Sequence, residues 1–288
     1  MTIKSILAAT SGGPASEGAI ELACRLAKRY EAHVEGFHVR IDPCELLASA
    51  AGAEFGGGMV MASEWMAQAE NEAKNLAAKI KASFQEATSR HGIPVTSAPA
   101  KVATADWHEE VGYGPVLVSK RARFFDLTVL GRSDRVVRRP HTDTIEETLL
   151  HSGRPVLLAP VEPPATLAEK VIIGWNASVG AVHAVAASLP LLATAKEVLV
   201  VTIGEVEEGA VTSVIEYLAR QGITAAHRAV EMAPGTSPGQ QLLDYAADVE
   251  ADLLVTGGYG QTPLHEFIFG GSTRDIVGHS TLPVLLYH

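Results

Sequence analysis

The chain has 288 residues, of which 47% are hydrophobic and 19% charged, and its formal net charge is −10 at pH 7. This length predicts two domains, each with enough apolar residues for a core of its own. The negative charge argues against a nucleic-acid partner, which needs basic residues to neutralise phosphates, and no apolar run approaches the roughly 20 residues that cross a bilayer, so we expect no membrane partner.

The first predicted element is a strand from Ile6 to Thr10. Residues 1–17 contain one lysine and only this five-residue apolar stretch, which predicts a strand rather than a signal peptide. The helix that follows carries Cys24 on an apolar face, and the other cysteine is Cys44. Two cysteines so placed form neither a C-x-x-C motif nor a disulfide framework. We therefore expect a reduced protein in the cytoplasm.

An insertion lengthens the first half of the chain at residues 41–84. It begins with small residues and continues into a helix predicted from about Ser63 to His91. Apolar residues recur along this helix at helical spacing, which indicates one buried face. They are Trp65, Met66, Ala69, Ala73, Leu76, Ile80 and Phe84. This face belongs either to the core or to a lid over a cleft.

The chain contains an internal repeat. Residues His151 to Leu158 read HSGRPVLL, and residues His279 to Leu286 read HSTLPVLL. Residues 126–131 (DLTVLG) likewise match residues 252–257 (DLLVTG). A proline-rich connector, Pro160 to Thr166, separates the two copies and can continue neither a helix nor a central strand.

The two copies predict two domains, residues 1–160 with the insertion and residues 167–288. In each copy, short continuous apolar runs alternate with helical segments, which is typical of a parallel sheet covered on both faces. We predict two tandem doubly wound α/β domains. Ligands of such folds bind beyond the carboxyl ends of the strands. The residues predicted at those ends are Ser11, Gly131, Asn176, Ile203 and Gly257.

A glycine-rich motif follows the predicted strand that ends at Gly257. It reads Gly257-x-x-Gly260, nine residues, and then Gly270-Gly271-Ser272-Thr273 at the start of a helix. Glycines let a ligand approach the backbone closely, and N–H groups at a helix N-terminus bind phosphate. The motif therefore predicts a nucleotide site. The alternative is a pair of ordinary turns with a helix cap.

These motifs resemble the universal stress protein family in its tandem form. The family's nucleotide signature is G-x-x-G, nine residues, then glycine followed by hydroxyl positions, and Thr273 falls on the last of these. The resemblance implies modules with a five-stranded, mainly parallel sheet, of the adenine-nucleotide alpha-hydrolase-like kind. It also implies binding of ATP or AMP, with or without Mg²⁺, and a role in stress tolerance rather than a defined metabolic reaction.

The resemblance also assigns roles to residues of the second half. Asn176 stands where the family usually has Asp to read the adenine edge, and an amide can both accept and donate. Ile203 matches a position that packs on the adenine ring, although a strand end in the core would be apolar as well. The phosphate cradle and its donors would be Gly257, Gly260, Gly270, Gly271, Ser272 and Thr273. Because Gly271 replaces the usual Ser, we expect weaker binding.

The first half departs further from the signature, and we predict that it binds no nucleotide. Ser11 replaces the Asp, and Gly131-Arg132-Ser133-Asp134 places a carboxylate where the second glycine belongs. A carboxylate there would repel phosphate. The arginines of this loop could hold another anion or form a solvated surface; they are Arg132, Arg135, Arg138 and Arg139.

Other chemistry has little support in the sequence. No H-x-x-x-H or G-x-x-x-x-G-K-[ST] motif is present, and we predict no metal site and no catalytic residue. We predict a non-enzymatic protein whose second half alone binds adenine nucleotide. Two alternatives stay open: a nucleotide-free interaction scaffold, and a slow ATP hydrolase that uses Glu266 or Asp275, the carboxylates nearest the motif.

The two halves are expected to associate as single modules of the family do. The resemblance predicts that Val156–Ala159 lies beside Val284–Tyr287, which would make one chain an internal pseudo-dimer. A homodimer of whole chains and unidentified protein partners are further expectations. The sequence does not specify the stress or the partner.

Overall fold

The computed structural model describes residues 2–42, 59–98, 101–132, 141–258 and 271–288. Its strands are β1 (Ser5–Thr10), β2 (His33–Arg40), β3 (Thr104–Val111), β4 (Leu127–Gly131), β5 (Val156–Ala159), β6 (Lys170–Gly174), β7 (Glu197–Ile203), β8 (Ala226–Val230), β9 (Leu253–Gly257) and β10 (Val284–Tyr287). Its helices are α1 (Pro14–Tyr30), α2 (Met59–Arg90), α3 (Gly114–Ala122), α4 (His141–His151), α5 (Val179–Leu192), α6 (Ala210–Arg220), α7 (Pro238–Asp248) and α8 (Gly271–His279).

All these strands belong to one ten-stranded sheet in the order β3-β2-β1-β4-β5-β10-β9-β6-β7-β8. The five strands of each half are parallel to one another, as predicted for doubly wound domains. The halves meet where β5 and β10 pair antiparallel, with Val284 opposite Leu158. This confirms the expected pairing of these two segments. The division into domains at 1–160 and 167–288 stays a prediction.

Helices cover both faces of the sheet because both faces of its strands are apolar. In β1, Ile6 contributes to the core on one face and Leu7 to the core on the other. Buried residues of α1, α2, α5 and α6 complete the first core, and those of α3, α4, α7 and α8 complete the second. This is the arrangement that continuous apolar strand sequences predict.

The two halves also match in hydrogen bonds outside the strand ladders. The carboxylate of Asp126 accepts from the backbone N–H of Ser5 at 2.9 Å. The carboxylate of Asp252 accepts from the backbone N–H of Lys170 at 2.9 Å. Each aspartate precedes the fourth strand of its half and fixes the start of the first strand. The sequence repeat is therefore a structural repeat.

Over residues 65–90, where its burial is described, the insertion helix α2 is most deeply buried toward its C-terminus. Ile80 is 5% exposed and Phe84 is fully buried, whereas Trp65 is 45% exposed and Leu76 is 42% exposed. The predicted apolar face is thus core over its last turns, whereas Met66, Ala69 and Ala73 before them are half-buried. Along the described part of the chain, no helix is long and apolar enough to cross a membrane.

Candidate functional site

The candidate site lies at the carboxyl ends of the central strands of the second half. In β6 and β9, Gly174 pairs with Thr256, so the chain leaves both strands at the same edge of the sheet. The backbone N–H of Trp175 donates to the carbonyl of Val201 at 2.9 Å, which holds the exit of β6 against β7. The carboxyl ends of β6 and β9 form the switch point of this half, and doubly wound folds bind ligands at such a point. It brings the turns that follow β6 and β9 together with Ile203.

Gly257, at the end of β9, lies in direct contact with the N-terminus of α5. A β-carbon on Gly257 would lie 2.5 Å from the backbone nitrogen of Ala181 and 2.7 Å from the carbonyl carbon of Gly180. Only glycine fits at this position, because the backbone of β9 lies too close to the backbone of α5 to leave room for a side chain. Because the N-terminus of a helix carries a partial positive charge, this contact places an electropositive helix end beside the glycine-rich turn.

Asn176 is exposed and holds the turn between β6 and α5. Its Oδ1 accepts from the backbone N–H of Ser178 at 3.1 Å, and the Oγ of Ser178 caps α5 by accepting from Ala181 at 3.2 Å. The residue between them, Ala177, has a φ of 58°, which is uncommon for a residue with a β-carbon. Within the described ranges no hydrogen bond uses Nδ2 of Asn176. That N–H₂ group is the one left to donate to a ligand.

Ile203 is half-buried at the end of β7 and packs against the second core. Its position is compatible with both sequence interpretations, contact with a purine and ordinary core packing. The assignment to the adenine ring stays a prediction.

The start of α8 supplies the other predicted residues. Gly271 is its first residue, Ser272 is half-buried, and Thr273 is 6% exposed. A β-carbon on Gly239 would lie 2.3 Å from the carbonyl oxygen of Ser272, so the first turn of α8 packs on the first turn of α7. Ser272 is therefore the more accessible of the two predicted hydroxyl donors. The predicted residues Gly260 and Gly270 lie outside the described residues, as does Glu266.

Asp275, one candidate base for hydrolysis, is used in this packing. The Oγ of Ser237 donates to its carboxylate. The same Oγ caps α7 by accepting from the backbone N–H of Gln240 at 3.1 Å. Asp275 thus ties α8 to α7, a role that favours structure over catalysis.

The turn after β1 is the first-half counterpart of the turn at Asn176, and the insertion helix covers it. A β-carbon on Gly12 would lie 3.0 Å from Cδ1 of Leu76 and 3.4 Å from Cδ1 of Ile80. The backbone N–H groups of Ser11 and Gly12 both donate to the Oγ of Ser16, at 3.0 and 2.9 Å. This first-half turn therefore carries apolar side chains over it, and the N–H groups of Ser11 and Gly12 already have an acceptor. Sequence reasoning missed this contact, because nothing in the sequence joins α2 to Gly12.

Arg132 takes the place of Gly258 in the first half. The backbone N–H of Arg132 donates to Ala159 at 2.8 Å, and that of Gly258 donates to Tyr287 at 2.8 Å. The side chain of Arg132 is buried, and its Nη1 donates to the carbonyl oxygen of Gly278 at 2.9 Å. The sequence suggested either an anion site or a solvated surface for Arg132, and its buried position fits neither interpretation. The other arginines of that loop and Asp134 lie outside the described residues.

The other titratable side chains that the structure describes bear on two kinds of chemistry, metal ligation and thiol reactivity. In the described ranges, no group of three His, Cys, Asp or Glu residues could hold a metal ion. Burial raises the pKa of the Cys24 thiol to about 12, so this thiol is not a nucleophile near neutral pH. His279 lies 3.2 Å from the carbonyl oxygen of Asp275, one turn back in α8, as expected of a histidine near a helix C-terminus.

The Universal stress protein family matches residues 174–288. A universal stress protein from Archaeoglobus fulgidus DSM 4304 superposes with a TM-score of 0.69 at 13% identity, over 98% of this chain and 97% of that one. A Pseudomonas aeruginosa UCBPP-PA14 protein that bears the same family name gives a TM-score of 0.55 at 13% identity, over 99% and 93% of the two chains. No curated protein matches the sequence.

The two structural similarities extend over both halves of the chain, and at this identity they establish the fold. The family match covers the half that carries the glycine-rich motif. Residues 174–288 therefore match the Universal stress protein family, and the chain as a whole has a fold similar to that of two solved universal stress proteins.

Proposed function

We propose that this protein binds an adenine nucleotide, ATP or AMP, in its second half only, and serves the stress response without catalysing a reaction. The observation that carries the proposal is a difference between the halves at the turn after the first strand. In the first half, Gly12 of this turn lies under Leu76 and Ile80 of the insertion helix α2. In the second half, the helix in the place of α2 is α6, which has 11 residues against 32.

The residues present fit a nucleotide with phosphates. The N-termini of α5 and α8 both belong to the second-half site, and helix N-termini attract anions. Ser272 offers a half-buried hydroxyl at the first turn of α8, and Asn176 offers its Nδ2 donors at the exit of β6. In the first half, the backbone N–H groups of Ser11 and Gly12, in the turn that corresponds to Asn176, already donate to the Oγ of Ser16. Nucleotide binding would stabilise the folded chain by mass action.

A ligand titration with paired variants tests the proposal. Thermal unfolding and calorimetry would be followed with ATP and AMP, each with and without Mg²⁺. Gly260→Asp gives the second half the carboxylate that the first half has in Asp134, and should abolish the ligand-induced rise in Tm. Asp134→Gly makes the opposite change and should leave binding as in the wild type, since Leu76 and Ile80 still cover that half.

A nucleotide-free interaction scaffold is the second candidate. It is favoured by Asn176, whose Oδ1 is already engaged with Ser178 and is therefore partly withdrawn from a base. On this alternative the folded wild type shows no Tm rise at millimolar ATP or AMP, and Gly260→Asp behaves like the wild type in both assays. That result would remove the nucleotide proposal.

A further inference from the structure

Two side chains of the first half contact the second-half site. The first is Leu149 of α4, which is 2% exposed. A β-carbon on Gly258 would lie 2.6 Å from Cδ2 of Leu149. Gly258 directly follows Gly257, so the glycine-rich turn rests on a leucine that the other half supplies.

The second side chain is Arg132, at the exit of β4. Its guanidinium donates to the carbonyl oxygen of Gly278 in the last turn of α8. The last carbonyls of a helix have no partner within the helix and carry its negative end, so an arginine there stabilises the helix and fixes its position. The opposite end of α8 begins with Gly271 and Ser272 of the predicted phosphate cradle.

These two contacts occupy corresponding regions of the internal repeat. Gly258 and Arg132 follow the fourth strand of their halves, and Leu149 and Gly278 lie two residues and one residue before the matching histidines, His151 and His279. Each half therefore places the turn after its fourth strand against the last helix of the other half. In the first half this turn carries an arginine. In the second half it carries a glycine that leaves space for Leu149.

We infer that the first half positions the nucleotide site of the second half, with Leu149 seating the Gly257–Gly258 turn and Arg132 anchoring α8. Neither residue touches the ligand, and both act as positioning residues. The inference rests on the proposed function, because it concerns the same site. It gives the first half a function although its own turn is covered.

The contact between Leu149 and Gly258 can be tested by making the side chain at position 149 smaller and the side chain at position 258 larger, singly and together. Leu149→Ala opens a void beneath the turn, and Gly258→Ala alone would drive a methyl group into Leu149. The double variant places the new methyl group in the new void. If packing at this contact sets the geometry of the site, ATP affinity falls in each single variant and returns in the double variant.

The experiment is calorimetric titration of the full chain with ATP, at a temperature at which circular dichroism shows every variant folded. Leu149→Ala should weaken ATP binding by about 3-fold to 30-fold, the range of a coupling that a distant residue modulates. The matched control is Leu22→Ala, a fully buried leucine of α1 packed in the core of the other sheet face. It should lower Tm comparably and leave affinity within twofold, about 0.4 kcal/mol.

Arg132 provides an independent arm if the leucine variants do not fold. Arg132→Lys keeps a donor for the carbonyl of Gly278 and should keep ATP affinity, whereas Arg132→Met should weaken it. Equal affinities for Leu149→Ala, Leu22→Ala, Arg132→Met and the wild type would overturn the inference while the proposed function stands. Absence of any ATP binding by the folded wild type would overturn both.

Discussion

Arg121 forms a two-pronged ion pair with Glu35, which is 6% exposed in the middle of β2. Nε of Arg121 donates to Oε1 of Glu35 at 2.7 Å, and Nη2 donates to Oε2. These hydrogen bonds to Glu35 raise the pKa of the Arg121 guanidinium above its ordinary value. The pair fixes α3 on the sheet of the first half.

Removal of one partner of this pair should be costly. In Arg121→Met, the carboxylate of Glu35 stays buried without its counter-ion, so we expect the free energy of unfolding to fall by about 2–3 kcal/mol, less than for a fully buried pair because the arginine is about a third exposed. Urea denaturation at pH 7 measures this. The double variant Glu35→Leu with Arg121→Met should recover much of the loss. A single variant within about 0.5 kcal/mol of wild type would contradict the structural importance of the pair.

Below neutral pH, His38 should make the protein less stable. Burial lowers the pKa of His38 from 6.5, and its Nδ1 donates to the carbonyl of Thr10 at 2.8 Å. The unfolded chain then takes up a proton near pH 6.5 that the folded chain does not, so stability is complete above that pH and falls as the pH drops below it. The slope from this one group is at most about 1.4 kcal/mol per pH unit.

The measurement is urea denaturation at pH 7.5 and at pH 5.5 for wild type and His38→Gln. The variant should lose less stability than the wild type between these two values. His91, which is half-buried at the surface beside Glu21, provides the matched control as His91→Gln. Identical pH dependence in wild type and His38→Gln would show that His38 does not contribute.

Gly257 and Gly278 should respond in opposite directions to the same substitution. Gly257→Ala would bring a β-carbon to 2.5 Å from the nitrogen of Ala181, so it must shift α5 or β9 and destabilise the fold by about 1–3 kcal/mol. Gly278 lies in α8 with nothing within 4 Å of its β-carbon position. Gly278→Ala should therefore stabilise by about 0.5–1 kcal/mol through helix propensity. Thermal unfolding of both variants measures the two changes in Tm. Equal Tm shifts of the same sign would show that the backbone around Gly257 moves apart at no cost in stability.

Asn176 and Ser11 offer a matched pair for the ligand. The two residues occupy corresponding positions just after the first strand of their halves. Only the second-half turn is predicted to receive nucleotide. Loss of one hydrogen bond should weaken ATP binding of Asn176→Ala by about 1 kcal/mol, roughly fivefold. Ser11→Ala should bind as the wild type does. Calorimetric titration compares the two, and a loss confined to Ser11→Ala would place the nucleotide in the wrong half for our proposal.

Local sequence patterns predicted most of the fold correctly. Continuous apolar strands such as Val171 to Gly174 and the repeated segments that end in PVLL predicted the five parallel strands of each half, because burial on both faces leaves a pattern that any window of the sequence carries. The family resemblance predicted the pairing of Val156–Ala159 with Val284–Tyr287. The end of α2 was placed within a residue of its observed position, whereas its start was predicted about four residues late.

The candidate site was predictable only where its residues are neighbours in sequence. The motif at Gly257 and the hydroxyls at the start of α8 form a local pattern, and such a pattern can be found without a structure. The hydrogen bond from Ser178 to Asn176 is also local, but it depends on the φ of Ala177, which no motif signalled. The link from Ser237 to Asp275 joins two helices and left no trace in either segment.

The sequence by itself determined the repeated α/β architecture and the position of a nucleotide-like motif in the second copy. The tertiary structure alone decided that Leu76 and Ile80 cover the first turn, that Arg132 binds the end of α8, and that Leu149 supports Gly258. The physical reason is distance along the chain. Hydrophobic periodicity and turn chemistry act between close neighbours, whereas these contacts join segments that meet only after the whole sheet has assembled.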